Sequence, residues 1–322
     1  MKSLRNKTID FPLSEATNLL SQCVKGKDVQ EIDFNSVVIG DSFESIRKLA
    51  DGSIDLLIVD PPYNMRKDFH GASFNKMGQS AYAEYTENWI LAVKSKLKES
   101  ASVYVCCDWE SSLIIGNLLA KHFILRNRIT WQREKGRGAK KNWKNGLEDV
   151  FFATVSNGYT FNLDAVKQRK KVLAPYKENG KPKDWEQTGE GKFRNTCPSN
   201  FWDDVSVPYW SMPENTAHPT QKPEKLIAKL ILASSNKGDV VLDIFGGSGT
   251  TGVVAKKLNR KFILFEQNEL YCAWAQYRLN LADKDNGIQG YFDGVFWERN
   301  SKPTYQPKNK TQKLLKTNKN KN

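Results

Sequence analysis

"DVVLDIFGGSGTTG" (residues 239–252) is an apolar run that leads into a glycine-rich turn and then into a helix-forming segment. Near-continuous apolar residues predict a strand that is covered on both faces, as in a parallel sheet. Gly246, Gly247 and Gly249 permit a tight turn and close approach of the backbone to a ligand. The next apolar run, "KFILFE", ends at Glu266, where an acid suits the two hydroxyls of a ribose. We therefore predict a site for a nucleoside-containing cofactor rather than an ordinary strand-to-helix turn.

Apolar runs of the same kind recur along the chain and predict a sheet of about seven strands. They are "SVVIGD" (36–41), "DLLIVD" (55–60), "SVYVCC" (102–107), "NRITWQ" (127–132), "DVFFATV" (149–155), "DVVLDIF" (239–245) and "KFILFE" (261–266). Helical patterns lie between many of these runs, and two of them carry aromatic residues that we expect to pack in the core. Their positions are Tyr85, Trp89, Val93 and Leu97, and Leu270, Trp274, Tyr277 and Leu281. Strands that alternate with helices predict an α/β, Rossmann-like, doubly wound fold.

Residues 163–216 interrupt this alternation. They are rich in Lys, Gly, Pro and Asn, they lose periodicity, and the interruption could begin as early as residue 132. We read them as an inserted lobe. The predicted divisions are an amino-terminal extension (1–34), a first half of the main domain (35–162), the lobe (163–216), a second half (217–300) and a basic tail (301–322).

Composition limits the class of protein. The 322-residue chain has a net charge of +13, and six lysines with no acid lie in "PKNKTQKLLKTNKNKN" (307–322), a segment that we predict to be disordered. The remaining positive excess favours a nucleic-acid partner. No apolar run approaches the ~20 residues of a membrane helix, and the start of the chain has no signal-peptide pattern. Five cysteines and three histidines fit no metal-ligand spacing. We expect a cytoplasmic protein without a metal site.

"IVDPPYNM" (residues 58–65) ends a second buried strand in an unusual way. Proline fixes φ and lacks a backbone donor, so the strand cannot continue beyond Asp60. A carboxylate, two prolines and a tyrosine then follow the open end of the strand. A proline turn alone would explain the prolines but not the residues around them.

Together, "DPPY" (60–63), "HPTQKP" (218–223) and "FGGSGT" (245–250) resemble the motifs of DNA amino-methyltransferases. The catalytic motif precedes the cofactor loop here, as in the β-class that is typical of type II restriction–modification systems. Matching segments cover roughly residues 37–282, and every motif position agrees, although "GLEDV" (146–150) lacks the His that often precedes its Glu. The resemblance implies S-adenosyl-L-methionine as cofactor, double-stranded DNA as substrate, a target-recognition role for the lobe and a cognate restriction endonuclease as a functional partner. A homodimer is possible in this family.

The resemblance also gives "DPPY" a chemical role. An exocyclic amine is a poor nucleophile because its lone pair is delocalised into the base. Acceptors at the Asp60 carboxylate and the Pro61 carbonyl would favour a localised lone pair, and Pro61 and Pro62 would keep the geometry rigid. Tyr63 offers a face on which a flipped base can stack.

Cofactor contacts follow from the resemblance position by position. Asp41 is implied to meet the adenine amino group, Lys222 the methionine carboxylate and Glu266 the ribose. The implied set is Asp41, Ser42, Lys222, Asp243, Phe245, Gly247, Gly249, Thr250 and Glu266. For His218 we favour a structural role.

A basic, glycine-containing segment, "QREKGRGAKKNWKN" (132–145), is predicted to bind DNA phosphates. The predicted contacts are Arg133, Arg137, Lys140, Lys141 and Lys144. "KQRKK" (167–171), near the start of the lobe, is a second basic segment of this kind.

Three alternatives to an adenine-N6 enzyme stay open. Asp60 favours adenine, because many cytosine-N4 relatives carry Ser there, but exceptions exist. A non-catalytic DNA-binding relative would not need the intact Asp60 and Tyr63. Enzymes that methylate protein glutamine or RNA usually have the two motifs in the opposite order.

Overall fold

The computed structural model describes residues 3–70, 72–133, 141–173, 175–189 and 191–298. In this part of the chain the strands are β1 (Val24–Lys25), β2 (Ser36–Ile39), β3 (Ile54–Val59), β4 (Lys67–Phe69), β5 (Ala72–Phe74), β6 (Leu97–Cys107), β7 (Ile124–Gln132), β8 (Leu147–Thr154), β9 (Gln168–Lys171), β10 (Lys177–Glu178), β11 (Lys181–Pro182), β12 (Glu186–Thr188), β13 (Gly191–Thr196), β14 (Phe201–Trp202), β15 (Val240–Asp243), β16 (Lys261–Glu266), β17 (Tyr291–Phe292) and β18 (Val295–Trp297). The α-helices are α1 (Thr17–Leu20), α2 (Ser42–Ile46), α3 (Gln79–Lys94), α4 (Trp109–His122), α5 (Glu224–Ser234), α6 (Thr250–Lys257) and α7 (Glu269–Ala282).

A large sheet organises the main domain, with the strand order β1-β2-β16-β15-β3-β6-β8-β7-β14. From β1 to β6 all neighbours are parallel. β8 runs antiparallel to β6 and to β7, which makes β7 parallel to the first group. All seven predicted strands are present, and the α/β, Rossmann-like fold is confirmed. The two additional strands, β1 and β14, have two residues each at the sheet edges and are too short to show a periodic pattern.

Helices cover both faces of this sheet, which explains the near-continuous apolar runs. Residues of α5, α6 and α7 belong to the core on one face, and residues of α3 and α4 belong to the core on the other. Two details of the helical prediction are wrong. Leu97 begins β6 instead of continuing α3. Tyr277 and Leu281 are 38 % and 39 % exposed, because only one side of α7 faces the core and they lie on the other.

The predicted lobe contains short strands despite its loss of periodicity. β9, β12 and β13 form an antiparallel group, and β18 adds to β9 in parallel, so the five-stranded order is β12-β13-β9-β18-β17. β18 thus pairs with a strand of the lobe, although it comes from the carboxyl-terminal part of the described chain. The division boundaries themselves stay a prediction.

The strand directions decide which residues meet at one edge of the large sheet. The carboxyl ends of β3, β15 and β16 lie together because these strands are parallel. The amino end of β8 reaches the same edge because β8 is reversed. In the described part of the chain no helix is long and apolar enough to cross a membrane.

Candidate active site

The turn after β3 is fixed by contacts from three directions. The Tyr63 hydroxyl donates to Asp60 Oδ1 at 2.9 Å. The Tyr82 hydroxyl, from α3, donates to the Pro62 carbonyl at 3.0 Å. The Asn64 backbone N–H donates to Ser111 Oγ, in α4, at 3.2 Å. These bonds, with the two prolines, give a carboxylate whose position depends on both neighbouring helices.

Lys222 lies directly against this carboxylate. Its Nζ is 2.6 Å from Asp60 Oδ2 and donates to the Tyr63 hydroxyl at 3.1 Å. The same ammonium is 3.4 Å from Glu148 Oε2, the second residue of β8. Glu148 is 4 % exposed, its Oε2 lies 3.3 Å from the Tyr63 hydroxyl oxygen, and it forms an ion pair with Arg133. Arg133, Glu148, Lys222 and Asp60 therefore form a chain of alternating charges, and the last three contact the tyrosine hydroxyl.

Burial and charge act in opposite directions on these groups. Burial raises the pKa of Asp60, and the Lys222 ammonium opposes that rise. For Lys222, burial lowers the pKa, but Asp60 and Glu148 outweigh burial and hold it above its ordinary value. Burial, followed by the two carboxylates, raises the pKa of Tyr63 well above its ordinary value. Lys222 and Tyr63 thus keep their protons at neutral pH, and Asp60 depends on Lys222 for its charge.

The glycine-rich turn is tied to the end of the next strand. Gly247 and Gly249 have φ values of 50° and 79°, which favour glycine, and a Cβ on Gly249 would lie 2.5 Å from the Cβ of Ala275. The Gly247 N–H donates to Glu266 Oε2 at 2.8 Å, and the Asn268 N–H donates to Glu266 Oε1 at 2.8 Å. Burial raises the pKa of Glu266. Glu266 therefore holds the glycine turn in place, in addition to any contact that it makes with a ligand.

A small pocket of about 40 Å³ lies between the two motifs. Its lining includes Asp60, Lys222, Asp243, Phe245, Gly247, Ser248 and Thr250. Asp243 accepts from the Thr251 hydroxyl at 2.6 Å and from the Phe245 N–H at 3.0 Å. Burial raises the pKa of Asp243 to about 7. Among the described residues, Ser248 Oγ is a buried pocket atom without a hydrogen-bond partner, as expected for a site that accepts a polar ligand.

A buried network fixes the segment that carries Lys222. The Thr250 hydroxyl donates to the Lys222 carbonyl at 3.1 Å. Arg278 donates to Thr250 Oγ1 at 3.0 Å, to the Ser248 carbonyl at 2.8 Å and to Glu224 Oε1 at 3.1 Å. The glycine turn and the Lys222 segment are thus held by one guanidinium.

His218 packs against this turn as well. Its ring centroid is 4.4 Å from that of Tyr271, and a Cβ on Gly247 would lie 3.0 Å from its Nε2. Burial, with nearby cations, lowers the pKa of His218 to about 3, so the ring is neutral. These contacts agree with a structural role.

Two predicted cofactor residues precede or begin α2. Asp41 caps the helix by accepting from the N–H groups of Phe43 and Glu44 at 2.8 and 3.1 Å. The Ser42 hydroxyl donates to the Ile244 carbonyl at 2.5 Å, which joins α2 to the end of β15. Both residues therefore belong to the same edge of the sheet as the glycine turn.

The predicted DNA-binding residues are spread over different environments. Lys141 and Lys144 are exposed, whereas Arg133 is partly buried and paired with Glu148. Arg137 and Lys140 lie outside the described residues. No group of three or more His, Cys, Asp or Glu side chains that could hold a metal occurs in the described ranges.

Sequence reasoning gave no role to Glu148 or Arg278. The signal for Glu148 was the "GLEDV" match, which places an acid at the start of a buried strand. Its meaning depends on the reversed direction of β8. Arg278 lies in the interior of α7 and carries no motif.

Comparisons with known proteins identify the family to which the chain belongs. A family model described as DNA methylase matches residues 54–277. The DNA adenine methyltransferase YhdJ of Escherichia coli (strain K12) is 34% identical over 254 residues, which are 77% of this chain and 83% of that protein. The type II methyltransferase M.HpaI of Haemophilus parainfluenzae is 31% identical over 76% of this chain and 74% of its own length.

Among solved structures, the cytosine-N4-specific PvuII DNA methyltransferase has a TM-score of 0.58 at 21% identity, with 77% of this chain and 87% of that chain covered. M1.HpyAVI in its complex with SAM has a TM-score of 0.52 at 24% identity, over 76% of this chain and 98% of its own. At these identities the likeness concerns the fold.

This chain belongs to the DNA methylase family, the S-adenosyl-L-methionine-dependent DNA N6-adenine or N4-cytosine methyltransferases of the restriction–modification kind.

Proposed function

We propose that this chain is a site-specific DNA adenine-N6 methyltransferase that flips its target base and protects host DNA from a cognate restriction endonuclease. The observation that carries the proposal is the Asp60 carboxylate, which is held by Tyr63 and Lys222 and lines the pocket beside the glycine turn. An aspartate at this position favours adenine. The relative YhdJ, which is named an adenine methyltransferase, supports the same choice.

The cofactor fits the residues around the pocket. S-adenosyl-L-methionine supplies a methyl group on a sulfonium centre. Ser248 Oγ, Thr250 and the backbone of the glycine turn would hold its methionine part, with Lys222 close to its carboxylate. Glu266 and Asp41 would contact the ribose and the adenine amino group. Gly247 and Gly249 leave room at the turn that other residues would fill.

The reaction requires a nucleophilic nitrogen. Asp60 accepts one hydrogen of the target amine, and the Pro61 carbonyl accepts the other. Preorganised acceptors of this kind commonly contribute ~10²–10³ in rate. Asp60 is also positioned to take the proton that the nitrogen loses, and Tyr63 supplies the stacking face. The buried, prolyl-fixed turn keeps these groups in place without reorganisation.

In the proposed function, the lobe (residues 163–216) recognises the DNA sequence. Lys141 and Lys144 contact phosphates, which positions the duplex without reading its sequence. Side chains of the lobe read the bases. Exchange of the lobe is therefore expected to change the methylated site.

Long-read sequencing of DNA from a methylation-free host that expresses this chain tests the proposal. We expect N6-methyladenine at one short sequence, and its loss in an Asp60→Ala variant that still binds the cofactor. N4-methylcytosine at a defined site would support the cytosine alternative instead. Near wild-type methylation by Asp60→Ala would contradict the catalytic assignment.

A further inference from the structure

Trp143 is almost completely exposed, which is unusual for so large an apolar side chain. It exposes 93 % of its surface. A single exposed apolar residue needs no explanation on its own. The surroundings of Trp143, however, combine charge and position in a way that indicates a binding partner.

The first feature is the position of Trp143 next to the active site. The segment that joins β7 to β8 is closed at its base by the Arg133 N–H, which donates to the Gly146 carbonyl at 2.7 Å. Three residues of chain span at most about 10 Å, so Trp143 stays near this base. Arg133 and Glu148, on the two sides of the base, form the ion pair that contacts Tyr63 through Glu148.

The second feature is charge. Lys141 and Lys144, on either side of Trp143 in the chain, are both exposed. The backbone N–H of Trp143 donates to Asn142 Oδ1 at 2.7 Å. An aromatic face between lysines complements a nucleic acid, because phosphates meet the cations and any base can stack on the indole.

The third feature is a chemical requirement. A base that leaves the stack to reach Asp60 leaves a gap and an unpaired partner base, at a cost of a few kcal/mol. An aromatic side chain that enters the gap offsets part of this cost, because it stacks on the exposed neighbouring bases.

We infer that Trp143 enters the target duplex and stacks in the gap left by the flipped base. The occupant of this surface is the DNA substrate. This inference rests on the proposed base-flipping function. Trp143 is thus a positioning residue that shifts the base-pair equilibrium toward the extruded state, and Lys141 and Lys144 anchor the adjoining phosphates.

The test compares Trp143→Ala with the wild-type enzyme on two duplexes that contain the methylation site. One has the normal pair at the target base, and the other has a mispair there that makes flipping easier. Single-turnover methylation by Trp143→Ala should fall roughly 10-fold to 100-fold on the paired duplex, the equivalent of one lost stacking contact. On the mispaired duplex the variant should come within about threefold of the wild type, because the mispair lowers the flipping cost.

Two matched variants serve as controls. Trp143→Phe retains an aromatic face and should keep most of the activity. Phe34→Ala removes a second exposed aromatic side chain, which is 41 % exposed. Phe34 precedes β2, near the other edge of the large sheet. This variant should match the wild type on both duplexes.

Equal losses on the paired and mispaired duplexes, or no loss on either, would overturn the role of Trp143 while leaving methylation itself established. A wild-type enzyme that methylates neither duplex would overturn both this inference and the proposed function. Fluorescence of 2-aminopurine at the target position gives an independent readout, which should rise on binding of the wild type and rise less with Trp143→Ala.

Discussion

Lys222 Nζ lies 2.6 Å from Asp60 Oδ2, and this ion pair joins two motifs that are 162 residues apart in the chain. The pair is largely buried, with side-chain exposures of 8% for Lys222 and 23% for Asp60. A buried carboxylate keeps its charge only when a cation or hydrogen-bond donors compensate for lost solvation. The residue predicted to bind the cofactor thus also controls whether Asp60 meets the target amine as a charged carboxylate.

Replacement of Lys222 by Met should move the acid limb of the rate profile to higher pH. Burial raises the pKa of Asp60 and the Lys222 ammonium lowers it, so loss of the ammonium raises it further. Protonated Asp60 is a weaker acceptor for the amine and cannot take up its proton, so methylation should fall at neutral pH and partly recover as the pH rises. Single-turnover rates of Lys222→Met and the wild type, measured from about pH 6 to about pH 9.5, give the two profiles.

A purely cofactor-binding Lys222 predicts a different result. In that case Lys222→Met would weaken S-adenosyl-L-methionine binding and leave the profile unshifted at saturating cofactor. Lys256→Met is a suitable control, because Lys256 pairs with Asp283 at the surface. It should change neither property.

Glu148→Gln should lower the methylation rate with little effect on cofactor affinity. Glu148 compensates Arg133 and contacts Lys222 and Tyr63, whereas a glutamine would leave both cations with less counter-charge. We expect a fall of roughly 10-fold to 100-fold in kcat, which corresponds to a loss of about 1.4–2.7 kcal/mol of transition-state stabilisation.

The adjacent residue provides the matched control for Glu148. Asp149 is also buried, but successive side chains of a strand point to opposite faces, and Asp149 accepts from the Thr130 hydroxyl instead. Asp149→Asn should therefore affect stability more than kcat. If both substitutions lowered kcat equally, the assigned role of Glu148 would be wrong.

The sequence could predict the strands and the glycine turn, but not the contact between Glu148 and Lys222. β3, β15 and β16 were predictable because strands buried on both faces are near-continuously apolar, and the glycine turn follows from local chain geometry. The contact of Glu148 with Lys222 was not predictable in the same way. It depends on the reversal of β8 between β6 and β7, and strand direction leaves no local signal in the chain.

The strand pairing of the lobe was also not predictable from the sequence. Its strands have two to six residues, and β9 takes a partner from β18, more than a hundred residues later in the chain. Strands this short show no clear alternation, so their pairing is decided by tertiary contacts. The pairing of Arg133 with Glu148, where a phosphate contact was predicted, is another consequence of long-range packing.

Asp243→Asn should stabilise the protein against unfolding at high pH. Burial raises the pKa of Asp243 from 3.8 to about 7, so the folded state favours the protonated form. The contribution of this group to stability is therefore full below about pH 4 and is lost as the pH rises through about 7. An asparagine has no proton to lose. The difference in unfolding free energy between variant and wild type should grow by about 2 kcal/mol between about pH 5 and about pH 8.

Urea denaturation without cofactor measures this difference. Asp283→Asn, which removes an exposed carboxylate, is the control and should show no such growth. A difference for Asp243→Asn that stays constant with pH would mean that Asp243 is ionised in the folded protein throughout this range.

Glu266→Ala should weaken S-adenosyl-L-methionine binding much more than DNA binding. Each carboxylate oxygen of Glu266 already accepts one backbone N–H, from Gly247 and from Asn268, and each oxygen has further lone-pair capacity for a ribose hydroxyl. The variant loses both the hydroxyl acceptor and the support of the glycine turn. To separate these effects, calorimetry should compare S-adenosylhomocysteine with its 2′-deoxy analogue. If Glu266 binds the ribose, the substitution should reduce affinity for the parent compound by roughly tenfold more than affinity for the analogue, the equivalent of one charge-assisted hydrogen bond. Equal losses for the two compounds would restrict Glu266 to shaping the turn.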